Sequence, residues 1–203
     1  TVTLEVIPAN ASDETITRTI AIKRDEVKLE EQSASKDVIE LDRNGETYRI
    51  GVINIPTFYA DFQAMQAGDP NYKSTTRDVR KLIEELKASG VDGVVMDLRN
   101  NGGGALHEAN DLVGLFIDEG PTVQIRNANN DVQVLEDEDP SVVYDGPLVV
   151  LVNRMSASAS EIFAGAIQDY GRGLVVGSQT FGKGTVQAVR PLNHGQLKIT
   201  QSK

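Results

Sequence analysis

Residues 74–98 read STTRDVRKLIEELKASGVDGVVMDL, and this stretch indicates the fold class. Its first part predicts an amphipathic helix, because Ser74–Thr76 offer an N-cap and Gly90 ends the periodic pattern. The apolar residues on one helical stripe are Val79, Leu82, Ile83 and Leu86. Its second part, GVVMDL at 93–98, predicts a buried strand. A helix that leads directly into a buried strand is typical of α/β proteins.

The same alternation of helices and strands continues on both sides of this stretch. Upstream, Asn44–Gly45 predicts the turn of a hairpin between strands at 37–42 and 47–55. Downstream, helices are predicted at 105–117 and 158–171, and strands at 122–126, 146–153, 173–177 and 184–192. Strands that alternate with helices of this length predict crossover units, and therefore an α/β core.

The N-terminal part differs in pattern from this core. Residues 1–8 and 15–24 alternate apolar and polar side chains, which predicts two half-buried strands. The charged stretch 25–37 is typical of a linker, and we place a domain boundary near residue 33. Both ends of the chain fall inside alternating stretches, so we expect it to be part of a longer protein.

Composition excludes several kinds of function. The 203 residues carry a net charge of -10 and no basic stripe, which argues against a nucleic-acid-binding protein. Cysteine is absent, which excludes disulfides, thiolate metal sites and cysteine nucleophiles. No apolar run approaches the roughly 18 residues of a membrane span.

The stretch GSQTFGKGT at 177–185 matches the first part of the phosphate-binding loop pattern G-x-x-x-x-G-K-[ST]. Such a loop needs a hydroxyl residue after its lysine and a helix that begins there. Gly184 follows Lys183 instead, and the β-branched run up to Pro191 is a poor helix. A nucleotide site is therefore not expected, and Lys183 is either a solvated turn residue or serves another chemistry.

Three serines stand where a buried strand turns into a helix: Ser156, Ser158 and Ser160. A hydroxyl at such a corner lies beside the free N–H groups of the helix, as in the nucleophile turns of hydrolases. Ser158 with Glu161 also fits the S-x-x-E capping box, which would make its role structural. Local chemistry leaves both interpretations open.

A serine nucleophile needs a base and an oxyanion site. The candidate bases are His107, His194 and a lysine that burial keeps neutral, for which Lys183 between two glycines is the most suitable. Gly102–Gly104 follow a buried strand and free the backbone to direct N–H groups at an anion. Together, the corner serine, the lysine between glycines and the glycine-rich loop indicate a serine nucleophile site more specifically than any one of them alone.

These segments resemble a known family. The stretches DLRNNGGG at 97–104, GPLVVLVNRMSASASEIFAGAIQDYGRGLVVG at 146–177 and TFGKGTVQ at 180–187 are similar to those of the bacterial tail-specific, or C-terminal processing, peptidases of serine peptidase family S41. The resemblance implies a mixed sheet with crossover helices, of the ClpP/crotonase-like kind, in a peptidase core at 36–203. It also implies that 1–25 are the closing strands of a PDZ-like domain and that 26–35 are a linker.

The resemblance assigns roles to individual residues. It implies that Ser158 is the nucleophile, that Lys183 is the general base of a Ser–Lys pair, and that Gln187 orients the lysine. The oxyanion would be held by the backbone N–H groups of Ala159 and Gly103.

Asp169 has been cast as a third catalytic member in the family. It lies eleven residues after Ser158, or roughly 16 Å along a continuous helix. A direct contact with the serine is not possible at that distance, so we expect Asp169 to be structural.

The implied activity is acyl-enzyme hydrolysis without a metal or nucleotide cofactor. The implied substrates are exported proteins or peptides with free apolar C-termini, in the periplasm or at its membrane, with a possible adaptor protein. Two alternatives remain: a catalytically silent peptide-binding module on the same fold, and a crotonase-like acyl-CoA enzyme. Within the hydrolases, His107 is the alternative base.

Overall fold

The computed structural model of the protein describes residues 1–13, 15–23, 32–137 and 139–203. In chain order the elements are β1 (Val2–Val6), β2 (Arg18–Ile22), β3 (Ser35–Arg43), β4 (Glu46–Asn54), α1 (Phe62–Gln66), α2 (Thr75–Ala88), β5 (Gly93–Asp97), α3 (Leu106–Val113), β6 (Gly120–Arg126), β7 (Val132–Asp137), β8 (Leu148–Val152), α4 (Ala159–Asp169), β9 (Leu174–Gly177), β10 (Val186–Pro191) and β11 (Gln196–Ser202). No helix in the part of the chain described is long and apolar enough to cross a membrane.

The central sheet has five strands in the order β3-β4-β5-β8-β9. The β3–β4 pair is antiparallel, and its turn residues Asn44 and Gly45 have φ of 56° and 84°. Positive φ at both positions is what a two-residue type I′ turn requires, so the predicted hairpin is confirmed. The other three pairings are parallel, which makes the sheet mixed and confirms the predicted α/β fold with crossover helices.

The helices α2, α3 and α4 connect the parallel strands. Because β4, β5, β8 and β9 lie side by side in chain order, right-handed connections place these helices on one face of the sheet. Helix α2 begins after Ser74, whose hydroxyl accepts a hydrogen bond from the Arg77 N–H, as the sequence predicted. Its apolar stripe packs into one continuous core with the sheet and with α3 and α4.

The structure differs from the prediction around α3. The helix ends at Val113 rather than at 117, with Gly114 as its C-cap residue. The Asp137 carboxylate lies where a side chain at position 114 would be, so β7 packs closely against the end of the helix. Strand β7 itself falls between the strands predicted at 122–126 and 146–153, where the sequence predicted no strand.

Within the described residues, three two-stranded hairpins accompany the central sheet: β1–β2, β6–β7 and β10–β11. The first confirms the two strands predicted near the N-terminus, but they are almost wholly exposed and not half-buried as predicted. Backbone hydrogen bonds between Arg126 and Lys203 join β6 to the end of β11. The predicted linker at 26–35 lies mostly outside the described residues, and the proposed domain division stays a prediction.

The parallel strands determine where the candidate site lies. Strands β5, β8 and β9 end at Asp97, Val152 and Gly177, and their carboxyl ends share one edge of the sheet. The segments that leave this edge after these three strands are the glycine-rich loop Gly102–Gly104, the turn with Ser158 and the loop with Lys183. Parallel pairing therefore brings together three segments that are far apart in the sequence.

Candidate active site

Ser158 occupies a strained turn between β8 and α4. Its backbone has φ of 58° and ψ of −115°, and it is the N-cap residue of the helix. A non-glycine residue held at an unfavourable backbone conformation costs about 1–3 kcal/mol, and such residues are concentrated at functional sites. We refer to residues 153–158 as the nucleophile turn, after the predicted role of Ser158, and the surrounding contacts have to hold this turn in place.

The two neighbouring serines provide part of that support. Ser156 is fully buried, and its hydroxyl donates to the Leu98 carbonyl at 2.8 Å. Ser160 is also fully buried, and its hydroxyl donates to the Asn101 carbonyl at 2.9 Å. Both serines join the nucleophile turn to the segment after β5, so they are structural, while Ser158 stays partly exposed.

Asn101 joins the glycine-rich loop to the rest of the site. Its side chain is fully buried, donates to the Ile55 carbonyl at 2.8 Å and accepts from the Gly103 N–H at 2.8 Å. Its backbone carbonyl accepts from the Ala157 N–H at 3.0 Å. Asn101 thus fixes the loop through its side chain to the segment just after β4, and through its backbone carbonyl to the nucleophile turn.

Gly103 lies directly against the nucleophile turn. A Cβ atom added to it would be 2.8 Å from the Ser158 Cβ and 3.1 Å from the Ala159 nitrogen. Its N–H, however, is occupied by the Asn101 side chain. The assignment of the Gly103 N–H as an oxyanion donor is therefore not what this structure favours, because the amide already has an acceptor.

The neighbouring N–H of Gly104, in contrast, donates to no acceptor among the described residues. The Gly103 carbonyl accepts from the Phe58 N–H at 3.0 Å and from the Thr57 hydroxyl at 2.9 Å. In a trans peptide the N–H points opposite to the carbonyl, so the Gly104 N–H points away from Thr57 and Phe58. Gly104 also lines the same cleft as Ser158.

A cleft of about 770 Å³ contains the main predicted residues. Ser158, Lys183 and Gln187 all line it, and Lys183 is half-buried there. Apolar side chains that form its walls include Phe58, Phe62, Leu106, Val123, Ile125 and Ile162. The structure thus places the predicted nucleophile, the predicted base and the predicted orienting residue around one largely apolar cavity.

The histidines and Asp169 lie in different surroundings. His107 lines the cleft, with its ring edge-on to Phe62 at 5.6 Å, and its Nε2 atom lies 3.6 Å from the buried Glu108 carboxylate. His194 is exposed in the turn between β10 and β11. Asp169 is the last residue of α4 and lines a separate cavity of about 460 Å³ beside Tyr170.

Glu161 connects the nucleophile turn to the loop that carries Lys183. Its carboxylate accepts from the Ser158 N–H at 2.8 Å, the Thr180 hydroxyl at 2.8 Å, the Gly182 N–H at 2.6 Å and the Lys183 N–H at 2.9 Å. Burial acts to raise the pKa of Glu161, but these hydrogen bonds outweigh it and leave the pKa below its ordinary value. The carboxylate is therefore held in its ionised form.

Reasoning from the sequence missed the roles of Asn101 and Glu161. The only sequence signal for Glu161 was the S-x-x-E spacing from Ser158, and the carboxylate does accept from the Ser158 N–H as a capping box requires. Asn101 gave no signal of its own beyond its place in NNGGG. Contacts across 46 residues, such as that between Asn101 and Ile55, have no local sequence pattern.

Comparison with known proteins gives a consistent result. The model of peptidase family S41 matches residues 49–203. The tail-specific protease of Haemophilus influenzae is 44% identical over 192 residues, which cover 95% of this chain and 25% of that protein. A probable CtpA-like serine protease of Staphylococcus aureus is 34% identical over 181 residues, which cover 88% of this chain and 33% of that protein.

A solved structure shares the fold. The photosystem II D1 C-terminal processing protease superposes with a TM-score of 0.69 at 29% identity, covering 99% of this chain and 49% of that one. The chain spans a quarter to a third of the length of the curated relatives named above. With a family match over most of the chain and this fold, the chain belongs to peptidase family S41, together with the tail-specific and C-terminal processing serine proteases.

Proposed function

We propose that this chain carries the catalytic core of a tail-specific serine endopeptidase in which Ser158 is the nucleophile and Lys183 is the general base. The observation that supports it best is that both side chains line one cleft at the carboxyl edge of the parallel strands. The strained Ser158 turn at the start of α4 adds to this support.

The proposed reaction begins with neutral Lys183. The lysine takes the proton of the Ser158 hydroxyl while the oxygen attacks a peptide carbonyl, and the protonated lysine then returns a proton to the leaving amine. Water hydrolyses the acyl-enzyme on Ser158. Gln187 lines the cleft near this pair and, in this proposal, orients the lysine.

Two backbone amides are proposed to hold the oxyanion. Ala159 is the first residue of α4, so its N–H has no intrahelical acceptor, and the dipole of the helix favours negative charge there. We assign the second donor to Gly104 in place of Gly103, because the Gly103 N–H donates to Asn101. Asp169 takes no direct part, since it lies at the far end of α4 from Ser158.

The proposed substrates are proteins or peptides with free apolar C-termini. The names of the relatives, tail-specific and C-terminal processing proteases, support this class. The apolar walls of the cleft are suited to apolar side chains around the cleaved bond. We further propose an exported protein that acts in the periplasm or at its membrane, with a PDZ-like domain, and an adaptor in some cases, that captures the substrate.

The test compares Lys183→Ala with His107→Ala in the full-length protein, using a peptide with an apolar free C-terminus. Lys183→Ala should lower kcat by about 10²–10⁴, the usual contribution of a general base. His107→Ala should retain turnover, with any change confined to KM, because His107 lines the cleft. Normal turnover by Lys183→Ala, with folding retained, would show that the Ser–Lys mechanism is wrong.

A covalent probe tests the nucleophile separately. A fluorophosphonate should label the wild-type protein at Ser158 and leave Ser158→Ala unlabelled. Absence of labelling in the folded wild-type protein would instead favour a silent peptide-binding module.

A further inference from the structure

We propose that Glu161 is a positioning residue of this site, whose carboxylate fixes the backbone on both sides of the Ser158–Lys183 pair and so sets the separation of nucleophile and base. The inference rests on the proposed Ser–Lys function. It adds a role for a residue that has no part in the chemical steps described above.

The two carboxylate oxygens of Glu161 accept hydrogen bonds from different parts of the site. Oε2 accepts from the backbone N–H of Ser158 at 2.8 Å and from the backbone N–H of Lys183 at 2.9 Å. The same oxygen atom therefore holds the main chain of the proposed nucleophile and that of the proposed base. Oε1 accepts from the Gly182 N–H at 2.6 Å and from the Thr180 hydroxyl at 2.8 Å. These two bonds fix the residues that precede Lys183 in its loop.

The loop that carries Lys183 needs such an anchor. Residues 178–185 contain no helix or strand, and Gly182 has a φ of 87°. A Cβ atom at Gly182 or Gly184 would meet nothing within 4 Å, so close packing does not hold the loop at these positions. Its other contacts to the nucleophile turn are the Phe181 N–H to the Ser156 carbonyl at 3.0 Å and a surface bond between Arg154 and Gln179.

Only an ionised carboxylate satisfies this set of donors. It provides two oxygen atoms with about four acceptor positions, whereas a glutamine amide has one acceptor oxygen and an NH₂ group that cannot accept. The position in the first turn of α4 also favours a negative charge. Glu161→Gln keeps the size of the side chain but leaves at least one of the bound N–H groups without an acceptor.

These contacts predict an effect on kcat that differs from the effect on KM. The substitution removes hydrogen bonds to the backbone of Ser158 and Lys183, whose separation matters for the chemical step. Glu161 does not line the cleft, and the side chains that do line it stay in place. Substrate binding should therefore be largely retained while the chemical step is slowed.

The experiment measures kcat and KM of the full-length protein and two variants. Glu161→Gln should lower kcat by about 10²-fold, as a displacement near 1 Å does, with KM changed by less than about threefold. Thr180→Val is the matched comparison: it removes one donor and keeps the carboxylate and its three backbone hydrogen bonds, so it should lower kcat by only about 3- to 10-fold.

Several results would overturn the proposal. One is a kcat of Glu161→Gln within threefold of the wild type. Another is a KM of Glu161→Gln that rises as strongly as kcat falls, because Glu161 would then support the cleft in general and not the separation of Ser158 and Lys183 in particular. Should Glu161→Gln fail to fold, Thr180→Val decides, and an unchanged kcat in that variant would contradict the proposal.

Lys183→Ala, measured in the same assay, separates this inference from the proposed function. Its full activity would contradict the Ser–Lys mechanism itself. An inactive Lys183→Ala beside a fully active Glu161→Gln would contradict only the positioning role.

Discussion

Addition of one methyl group at Gly103 should impair the site more than it impairs the fold. In Gly103→Ala the new Cβ would lie 2.7 Å from the Ala157 carbonyl oxygen and 2.8 Å from the Ser158 Cβ. Ordinary van der Waals contact begins at 3.4 Å, so the loop and the nucleophile turn have to separate by at least about 0.6 Å. Gly103 also has a φ of 98°, which alanine adopts only with strain.

The size of the effect follows from these distances. A displacement of about 1 Å at reacting groups costs on the order of 10²-fold in rate, so we expect kcat/KM of Gly103→Ala to fall about 10- to 100-fold. Backbone strain and the contact together should cost about 1–3 kcal/mol of the free energy of unfolding. For a chain of this size each kcal/mol lowers Tm by about 2–4 °C, so the variant should remain folded at 25 °C.

Gly102→Ala is the matched control for this experiment. A Cβ atom at Gly102 meets nothing within 4 Å, and the same substitution one residue earlier should leave both kcat/KM and Tm near those of the wild type. The assay is cleavage of a peptide with an apolar free C-terminus, together with thermal unfolding of each variant. If Gly103→Ala matched Gly102→Ala in both measurements, the contact between the glycine-rich loop and the nucleophile turn would not matter for catalysis.

Two further predictions concern stability. Burial raises the pKa of Asp137, and its Oδ2 atom is buried without a hydrogen-bond partner in the described structure. Because the charged carboxylate is therefore unfavourable there, Asp137→Asn should increase the free energy of unfolding by about 1 kcal/mol at pH 7. Urea titrations at pH 7 and pH 3 test this, because the gain should disappear once the carboxyl is protonated in the wild type. The pKa of Glu161 is lower in the folded protein than its ordinary value of 4.5. The ionised carboxylate therefore contributes fully to the free energy of unfolding above pH 4.5, and this contribution is lost as the pH falls through the lower pKa of the folded state. The stability difference between the wild type and Glu161→Gln should therefore shrink below pH 4.5, and a difference that stayed constant to pH 2 would contradict the hydrogen-bond account.

Strongly periodic segments account for most of what the sequence predicted about the fold. Helix α2 and the β3–β4 hairpin were predicted closely, because the stripe around Ile83 and the Asn44–Gly45 turn are local signals. Strand β7 was missed, since it follows the polar stretch 127–131 and ends in the acidic residues Glu136 and Asp137, both of which are typical of a turn. The end of α3 depends on Asp137, a residue distant in the sequence, and no local pattern marks that contact.

The sequence predicted which segments form the candidate site, but it did not predict the hydrogen bonds within it. The strand-to-helix corner and the glycine-framed lysine indicated Ser158 and Lys183, which the structure places in one cleft. Which of three adjacent glycines presents a free N–H depends on the Asn101 side chain and on the partner of the Gly103 carbonyl. The position of His107 in the cleft likewise depends on how α3 is placed beside the loop, which its own sequence does not reveal.

The three segments that leave the carboxyl edge of the sheet also have a consequence for protein synthesis. A nascent chain that has grown only to residue 179 contains Ser158 but lacks Lys183 and the donors of the loop that Glu161 binds. In the proposed mechanism such a chain has a nucleophile without its base. The proposed mechanism therefore implies that the growing chain cannot cleave itself or its neighbours until Lys183 has been added and its loop has docked on Glu161.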